Sequence, residues 1–261
     1  MRFTILSFVV FSLHLIGSTA AYADASGEIA IIIDDFGQNV QAAENMLELD
    51  APFTAAVMPF LEESRTHAKT AVNNGHDVIV HMPMEPVQGR PSWLGPGAIT
   101  KDMTPERARQ SVKQAMDSLP EAKGINNHMG SAIVTNEPVM RSILEEVKER
   151  GMYVIDSGTH QNSVVPELCE ELAIPYMKRD LFIDTDHSSK AEAINMLEQL
   201  QTEAKRNGAS IGIGHVGVRG QNTYAALLEM MQKKDFQNAL VRSSDMILKN
   251  PEHNPEAFWQ Y

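Results

Sequence analysis

Ile29-Ala30-Ile31-Ile32-Ile33-Asp34-Asp35-Phe36-Gly37 joins a continuous apolar, mostly β-branched run to two acids and a glycine. A run this short and apolar predicts a strand buried on both faces, as in a parallel sheet. Runs of the same kind follow at Phe53–Val57, Asp77–Val80, Gly124–Asn126, Met152–Ile155, Asp180–Ile183, Ser210–Ile213 and Ala239–Val241. Helix signals fall between them. Thr104-Pro105-Glu106 combines a cap residue, a proline at the first helical position and an acid in the first turn. Asn136-Glu137-Pro138 starts another helix, which Gly151 closes. Further helices are expected over Thr66–Asn74, from Ser188 or Ser189 to Asn207, and from Asn222 to about Phe236. Repeated strand-then-helix units imply a parallel sheet with right-handed crossovers. Seven or eight such units in roughly 235 residues suit a closed or nearly closed barrel, with a doubly wound open sheet as the alternative.

Outward from that core, the chain has 261 residues, with 22 basic against 34 acidic side chains and a formal charge of −12. Its 43% hydrophobic and 21% charged residues are ordinary for a packed globule and exclude a disordered or fibrous chain. The acidic balance argues against binding a nucleic-acid backbone. Met1 and Arg2, the apolar run from Phe3 to Ile16 and the small-residue pattern Ala21-Tyr22-Ala23 read as a secretory signal peptide over residues 1–23. An uncleaved anchor is the competing reading. Residues 24–261 carry no further stretch long enough to cross a membrane, no internal repeat and no Gly/Ser linker, so one domain is expected, exported to the periplasm or secreted. The single cysteine, Cys169, excludes an internal disulfide and sits in a helix-like segment as a packing residue. Gly89–Ile99 is rich in turn residues and reads as a long loop over one end of the sheet.

Polar residues recur where the strands end: Asp34 and Asp35, His81 with Glu85 beyond it, Asn127 and His128, Asp156 and Ser157, Asp184 and Asp186, and His215. In a parallel barrel these ends converge on one rim. Carboxylates and neutral imidazoles are good ligands for zinc and similar divalent ions. One Asp and two His leave a coordination position open for water, a second carboxylate can take the water's proton, and a further His can protonate a leaving amine. The adjacent pair Asp34 and Asp35 offers one ligand and one base from a single strand end. The inventory fits metal-assisted hydrolysis of an amide or ester.

The strings Ile-Ile-Ile-Asp-Asp-Phe-Gly (31–37), His-Met-Pro-Met-Glu-Pro (81–86), Gly-Ile-Asn-Asn-His-Met-Gly-Ser (124–131), Ile-Asp-Ser-Gly-Thr (155–159) and Ile-Gly-Ile-Gly-His (211–215) resemble the divergent polysaccharide deacetylase family, a remote branch of the NodB-type carbohydrate esterases. The likeness runs from about Ile29 to Val241. It implies a distorted (β/α) barrel of about seven parallel strands, a divalent metal that is usually zinc, and removal of N-acetyl groups from an N-acetylated glycan. By the family's pattern Asp34 is the general base, Asp35 a metal ligand, His81 the first histidine ligand, His215 the general acid, and Asp156 part of the late acidic motif. The chain departs from the pattern in two places. Glu85 stands where the second histidine ligand belongs, and the Arg-Pro-Tyr-type motif is replaced by Asn127-His128. The ligand set inferred is therefore Asp35, His81 and His128, with Glu85 competing for the third place. Two other classes stay open: a non-catalytic envelope protein that binds glycan or a protein partner, and a metal-independent glycosidase using paired carboxylates. Trp93, in the long loop, could stack on a sugar ring or anchor the loop. Asp184 and Asp186 are given no role beyond solvation or capping.

Overall fold

The structure is a computed structural model, and it describes residues 27–249; the signal peptide expected over residues 1–23 lies outside them. Its strands are β1 (Glu28–Phe36), β2 (Thr54–Val57), β3 (Asp77–Met84), β4 (Gly124–Met129), β5 (Tyr153–Asp156), β6 (Tyr176–Lys178), β7 (Leu181–Phe182), β8 (Ala209–His215) and β9 (Leu240–Val241). The helices are α1 (Gln41–Leu47), α2 (Ser64–Asn73), α3 (Pro105–Ser118), α4 (Glu137–Glu149), α5 (Val165–Leu172), α6 (Lys190–Asn207), α7 (Gly220–Met230), α8 (Lys234–Ala239) and α9 (Ser243–Lys249). Thr104, Asn136 and Ser189 cap α3, α4 and α6 through their side chains, and Gly208 ends α6 in a left-handed conformation, as their residue types predict.

The sheet runs β6-β5-β4-β3-β2-β1-β8-β7, with β9 pairing the start of β1. Every strand pair is parallel among the described residues. The result is a curled (β/α) half-barrel whose eight-strand path is left open between β6 and β7. Two of the differences from expectation have a clear physical cause. The strand at Tyr176–Lys178 has only three residues and no fully buried one, too little apolar pattern to predict. The helix expected from Asn222 to Phe236 breaks in two, because Lys233 takes an extended conformation that turns Phe236 and Ala239 back into the core.

Side chains alternate between two cores. Ile29, Ile31 and Ile33 pack with the helices, while Ala30 and Ile32 join Ala56, Ile79, Tyr153, Ile155, Ile211 and Ile213 inside the barrel. Met246 and Ile247 of α9 belong to the inner cluster, so α9 closes the amino-terminal end of the barrel. Polar groups buried there are paired. The Ser243 hydroxyl lies 2.7 Å from both Thr54 Oγ1 and Tyr153 OH. Asp77 accepts from Lys123 Nζ at 2.7 Å and from the Ser244 amide at 3.1 Å. The carboxyl-terminal end is left open.

Candidate functional site

Period-two alternation carries the inner face to the open end of the barrel. Continuing from Ala30 and Ile32 it reaches Asp34; from Ile79, His81; from Ile213, His215; and from Phe182, which packs on the inner cluster, Asp184. Asn126 and His128 follow on β4, where Asn126 pairs with His81. Asp34 pairs with His215 across β1 and β8. These ends open into a cleft of about 810 Å³ whose walls include Asp34, Asp35, His81, His128, Asp184 and His215.

Asp35 has the wrong parity and should face the helices. A bulge corrects it. Ile33 pairs with Ala55 and Phe36 with Val57, so Asp34 and Asp35 together oppose the single Ala56. Asp35 takes the left-handed conformation at φ 70°, which aspartate tolerates better than most residues. Gly37 follows at φ 121°, where an added Cβ would sit 3.2 Å from a backbone oxygen of Met58. The two neighbouring acids thereby both serve the cleft.

Asp35 Oδ1, His81 Nε2 and His128 Nδ1 form a compact triangle. The edges are 3.3 Å from Asp35 to His81, 3.1 Å from Asp35 to His128 and 3.1 Å between the rings. A tetrahedral ion with bonds of about 2.0–2.1 Å holds its ligand atoms roughly 3.3 Å apart. Asp35 Oδ1 is buried and makes no hydrogen bond. The outward nitrogens fix both ring tautomers. Asn126 donates through Nδ2 to Asp34 Oδ1 at 2.8 Å, so its Oδ1 accepts from His81 Nδ1 at 2.7 Å. His128 Nε2 donates to the Trp93 carbonyl at 3.1 Å. Each neutral ring therefore turns a bare nitrogen toward Asp35. One carboxylate oxygen and two imidazole lone pairs facing one another at this range fit a divalent cation. Among the described residues this is the one group of His, Cys, Asp and Glu gathered closely enough to hold an ion.

The electrostatics follow the same convergence. Burial pulls Asp35 upward, but His128 and His81 outweigh it and hold the carboxyl well below the usual range. Burial opposes charge on His81, yet Asp34 and Asp35 raise its pKa above the ordinary imidazole value. Asp34 is raised, chiefly by burial, against the pull of His81 and His215. Burial also disfavours charge on His215, but Asp184 and the two strand-end acids lift it to about 9.

Asp184 is the residue that the sequence reading passed over. Its carboxylate accepts from His215 Nδ1 at 2.6 Å, from the His215 amide at 3.0 Å and from the Thr223 hydroxyl. It shares parity with Phe182, and that signal could have found it. Asp156 shares parity with Val154 instead and faces the helices. Its Oδ1 accepts from the Gly158 amide at 2.9 Å, while the neighbouring Ser157 and Thr159 line the cleft. Glu85 is engaged elsewhere. It accepts from the Lys101 amide at 2.9 Å and pairs with Lys101 Nζ at 3.1 Å. Asp186 is exposed at the rim, where its carbonyl accepts from Arg219 Nε. Asn127 ties β4 to β5 by accepting from the Ser157 amide at 3.2 Å. The indole of Trp93 is exposed at the cleft mouth, with the Arg90 guanidinium 5.4 Å from its ring centre.

Comparison with known proteins adds lineage to this geometry. A family model described as divergent polysaccharide deacetylase matches residues 31–247. The chain is 30% identical to the uncharacterized protein YibQ of Escherichia coli over 190 residues, which is 73% of this chain and 59% of that protein. It therefore spans under two thirds of that relative's length. An uncharacterized Haemophilus influenzae protein is 26% identical over 215 residues, covering 82% of this chain and 75% of that one. In three dimensions, the uncharacterized protein ATU2773 from Agrobacterium tumefaciens superposes with a TM-score of 0.77 at 17% identity, covering 84% of this chain and 89% of that one. At that identity the likeness speaks to the fold alone. Among the described residues no helix is long and apolar enough to cross a membrane.

Proposed function

The chain belongs to the divergent polysaccharide deacetylase family, and we propose that it is a metal-dependent hydrolase that removes N-acetyl or related acyl groups from an amino-sugar polysaccharide of the cell envelope. The observation that carries this reading is the triangle of Asp35 Oδ1, His81 Nε2 and His128 Nδ1, flanked in one cleft by Asp34 and His215. In this reading the signal segment 1–23 directs the chain to the periplasm or beyond.

Asp35, His81 and His128 would hold a divalent ion, zinc by donor type. Such an ion polarises a carbonyl and acidifies water. Asp34 is the general base. Burial lifts its pKa toward the range in which a carboxylate accepts a proton readily, and Asn126 holds its Oδ1 at 2.8 Å at the wall of the cleft. His215 is the general acid. Asp184 fixes its Nδ1 and keeps the ring protonated at neutral pH, leaving Nε2 to protonate the departing amine. In this reading Asp184 is the carboxylate that orients the acid.

The test is acetate release. The purified chain is incubated with zinc and either chitooligosaccharide or peptidoglycan fragments. Metal-dependent acetate is expected from wild type and not from Asp34→Asn, which keeps the ligand set. Absence of acetate with every divalent ion across that panel overturns the reading. Saturable glycan binding under the same conditions would then favour a binding protein.

A further inference from the structure

Asp35 is a strained residue, and the strain is held from outside β1. We infer that His67, on α2, is a positioning residue that keeps Asp35 in its ligating conformation through the Gly37 amide. This rests on the reading of Asp35 as a metal ligand.

His67 is 1% exposed and stands outside the cleft. Its Nδ1 accepts from the Gly37 amide at 3.0 Å, and its Nε2 lies 3.2 Å from Glu44 Oε1. A carboxylate only accepts, so Glu44 places the ring hydrogen on Nε2. That leaves the lone pair on Nδ1 that the Gly37 amide requires. The two neighbours specify the same tautomer. The ring also packs edge-on against Phe36, with centroids 5.8 Å apart.

Further bonds complete the clamp on the segment after Asp35. The Met58 amide donates to the Phe36 carbonyl, and the Glu63 amide donates to the Gly37 carbonyl, both at 2.9 Å. In those two bonds the carbonyls of Phe36 and Gly37 accept; the His67 ring instead receives the hydrogen of the Gly37 amide. Without an acceptor at Nδ1, the buried Gly37 amide has no partner, and an unpaired buried donor drives the turn to rearrange. Asp35 is two residues away, already at a positive φ, and any relaxation of the turn carries its carboxylate away from His81 and His128. A buried imidazole that never touches substrate would in this way set the affinity for the ion.

Two substitutions isolate the bond. His67→Asn keeps an acceptor near the position of Nδ1 and gives up Glu44. His67→Gln reaches toward the position of Nε2 and gives up the Gly37 acceptor. The full chain is titrated with zinc against a chromophoric chelator, and exchange of the Gly37 amide is followed in the metal-free protein. Zinc affinity is expected to fall by about 10-fold or more in the Gln variant and to stay within about 3-fold of wild type in the Asn variant. Gly37 exchange should accelerate only in the former. His67→Ala serves if the Gln variant does not fold. Equal zinc affinities in the Asn and Gln variants overturn the inference while leaving the triangle intact. A wild-type chain that binds no zinc overturns the ligand reading and this inference with it.

Discussion

Replacing Asp184 by asparagine tests the acid side of the site. Asp184 is 5% exposed and its two oxygens accept three hydrogens: from His215 Nδ1, from the His215 amide and from Thr223. An asparagine can still accept from one imidazole nitrogen. Its NH2 group then meets the His215 amide or the threonine hydroxyl, so at least one donor faces a donor. The negative charge is lost as well. Asp184 supplies the largest contribution that raises His215, ahead of Asp34 and Asp35. With a pKa of about 9, His215 is roughly 90% protonated at pH 8. At the ordinary imidazole value near 6.5 it would be about 3% protonated. The two remaining acids retain part of the elevation, so the alkaline limb of kcat/KM should move down by about 1–2 units, and activity at pH 8 should fall by about 2- to 10-fold. A bound cation lowers the limb in both proteins and leaves the displacement. The same shift governs stability in the metal-free chain. A folded pKa above the unfolded one means that the proton on His215 stabilises the fold fully below about pH 6.5, and that this contribution is lost as pH rises through 9. Wild-type urea midpoints should therefore fall between pH 6.5 and 9.5 more steeply than those of the variant. An alkaline limb displaced by less than about half a unit, with parallel stability profiles, would refute the assignment of Asp184 as partner of His215.

Two further outcomes are expected. His128→Ala should weaken zinc affinity by about 100-fold or more, while Glu85→Ala should leave it within about 3-fold of wild type, since Glu85 is held by Lys101; chelator competition reads both, and the reverse order would return Glu85 to the ligand set. Ser243→Ala removes a hydroxyl shared by Thr54 and Tyr153 beneath the barrel and should cost about 1–3 kcal/mol in urea unfolding, with zinc affinity unchanged.

Much of this was legible in the sequence because one periodicity does two jobs. The alternation that makes Ile29–Ile33 a buried strand also fixes which residue after the strand looks into the barrel. His81 and His215 follow that rule, and so do Asn126 and His128. Asp156 and Asp184 were the informative pair. Both follow short apolar runs, and both are acids. Parity separates them, because Ile155 is an inner residue and so sends Asp156 outward, whereas Phe182 sends Asp184 inward. Residue type without parity gave Asp184 no role beyond solvation or capping, whereas parity places it beside His215. Other features were beyond the alternation. The bulge that turns Asp35 depends on pairing with β2, and nothing local to the strand announces an extra residue. The Trp93 carbonyl that orients His128 is a backbone group on a loop with no regular pattern. His67 lies on α2, 30 residues from the amide it accepts.

On the proposed reading, the paired aspartates account for how β1 supplies a cation site with its acid. Were β1 regular, Asp34 would enter the barrel and Asp35 would be driven among the apolar side chains beneath the helices, an expensive place for a charge. The bulge avoids that at the cost of a left-handed residue, on the order of 1–2 kcal/mol. It brings a second acid to a rim that already holds two imidazoles. Both rings are then tied outward, His81 to Asn126 and His128 to the Trp93 carbonyl, so neither can turn a hydrogen toward Asp35 without becoming charged. Protonating His81 relieves one edge of the triangle and leaves the His128 lone pair facing the same buried oxygen. Protonating both rings sets two cations 3.1 Å apart. A single dication satisfies all three donors at once. On the proposed reading, the cation they would hold accounts for Asp35, the bulge and the outward ties occurring together.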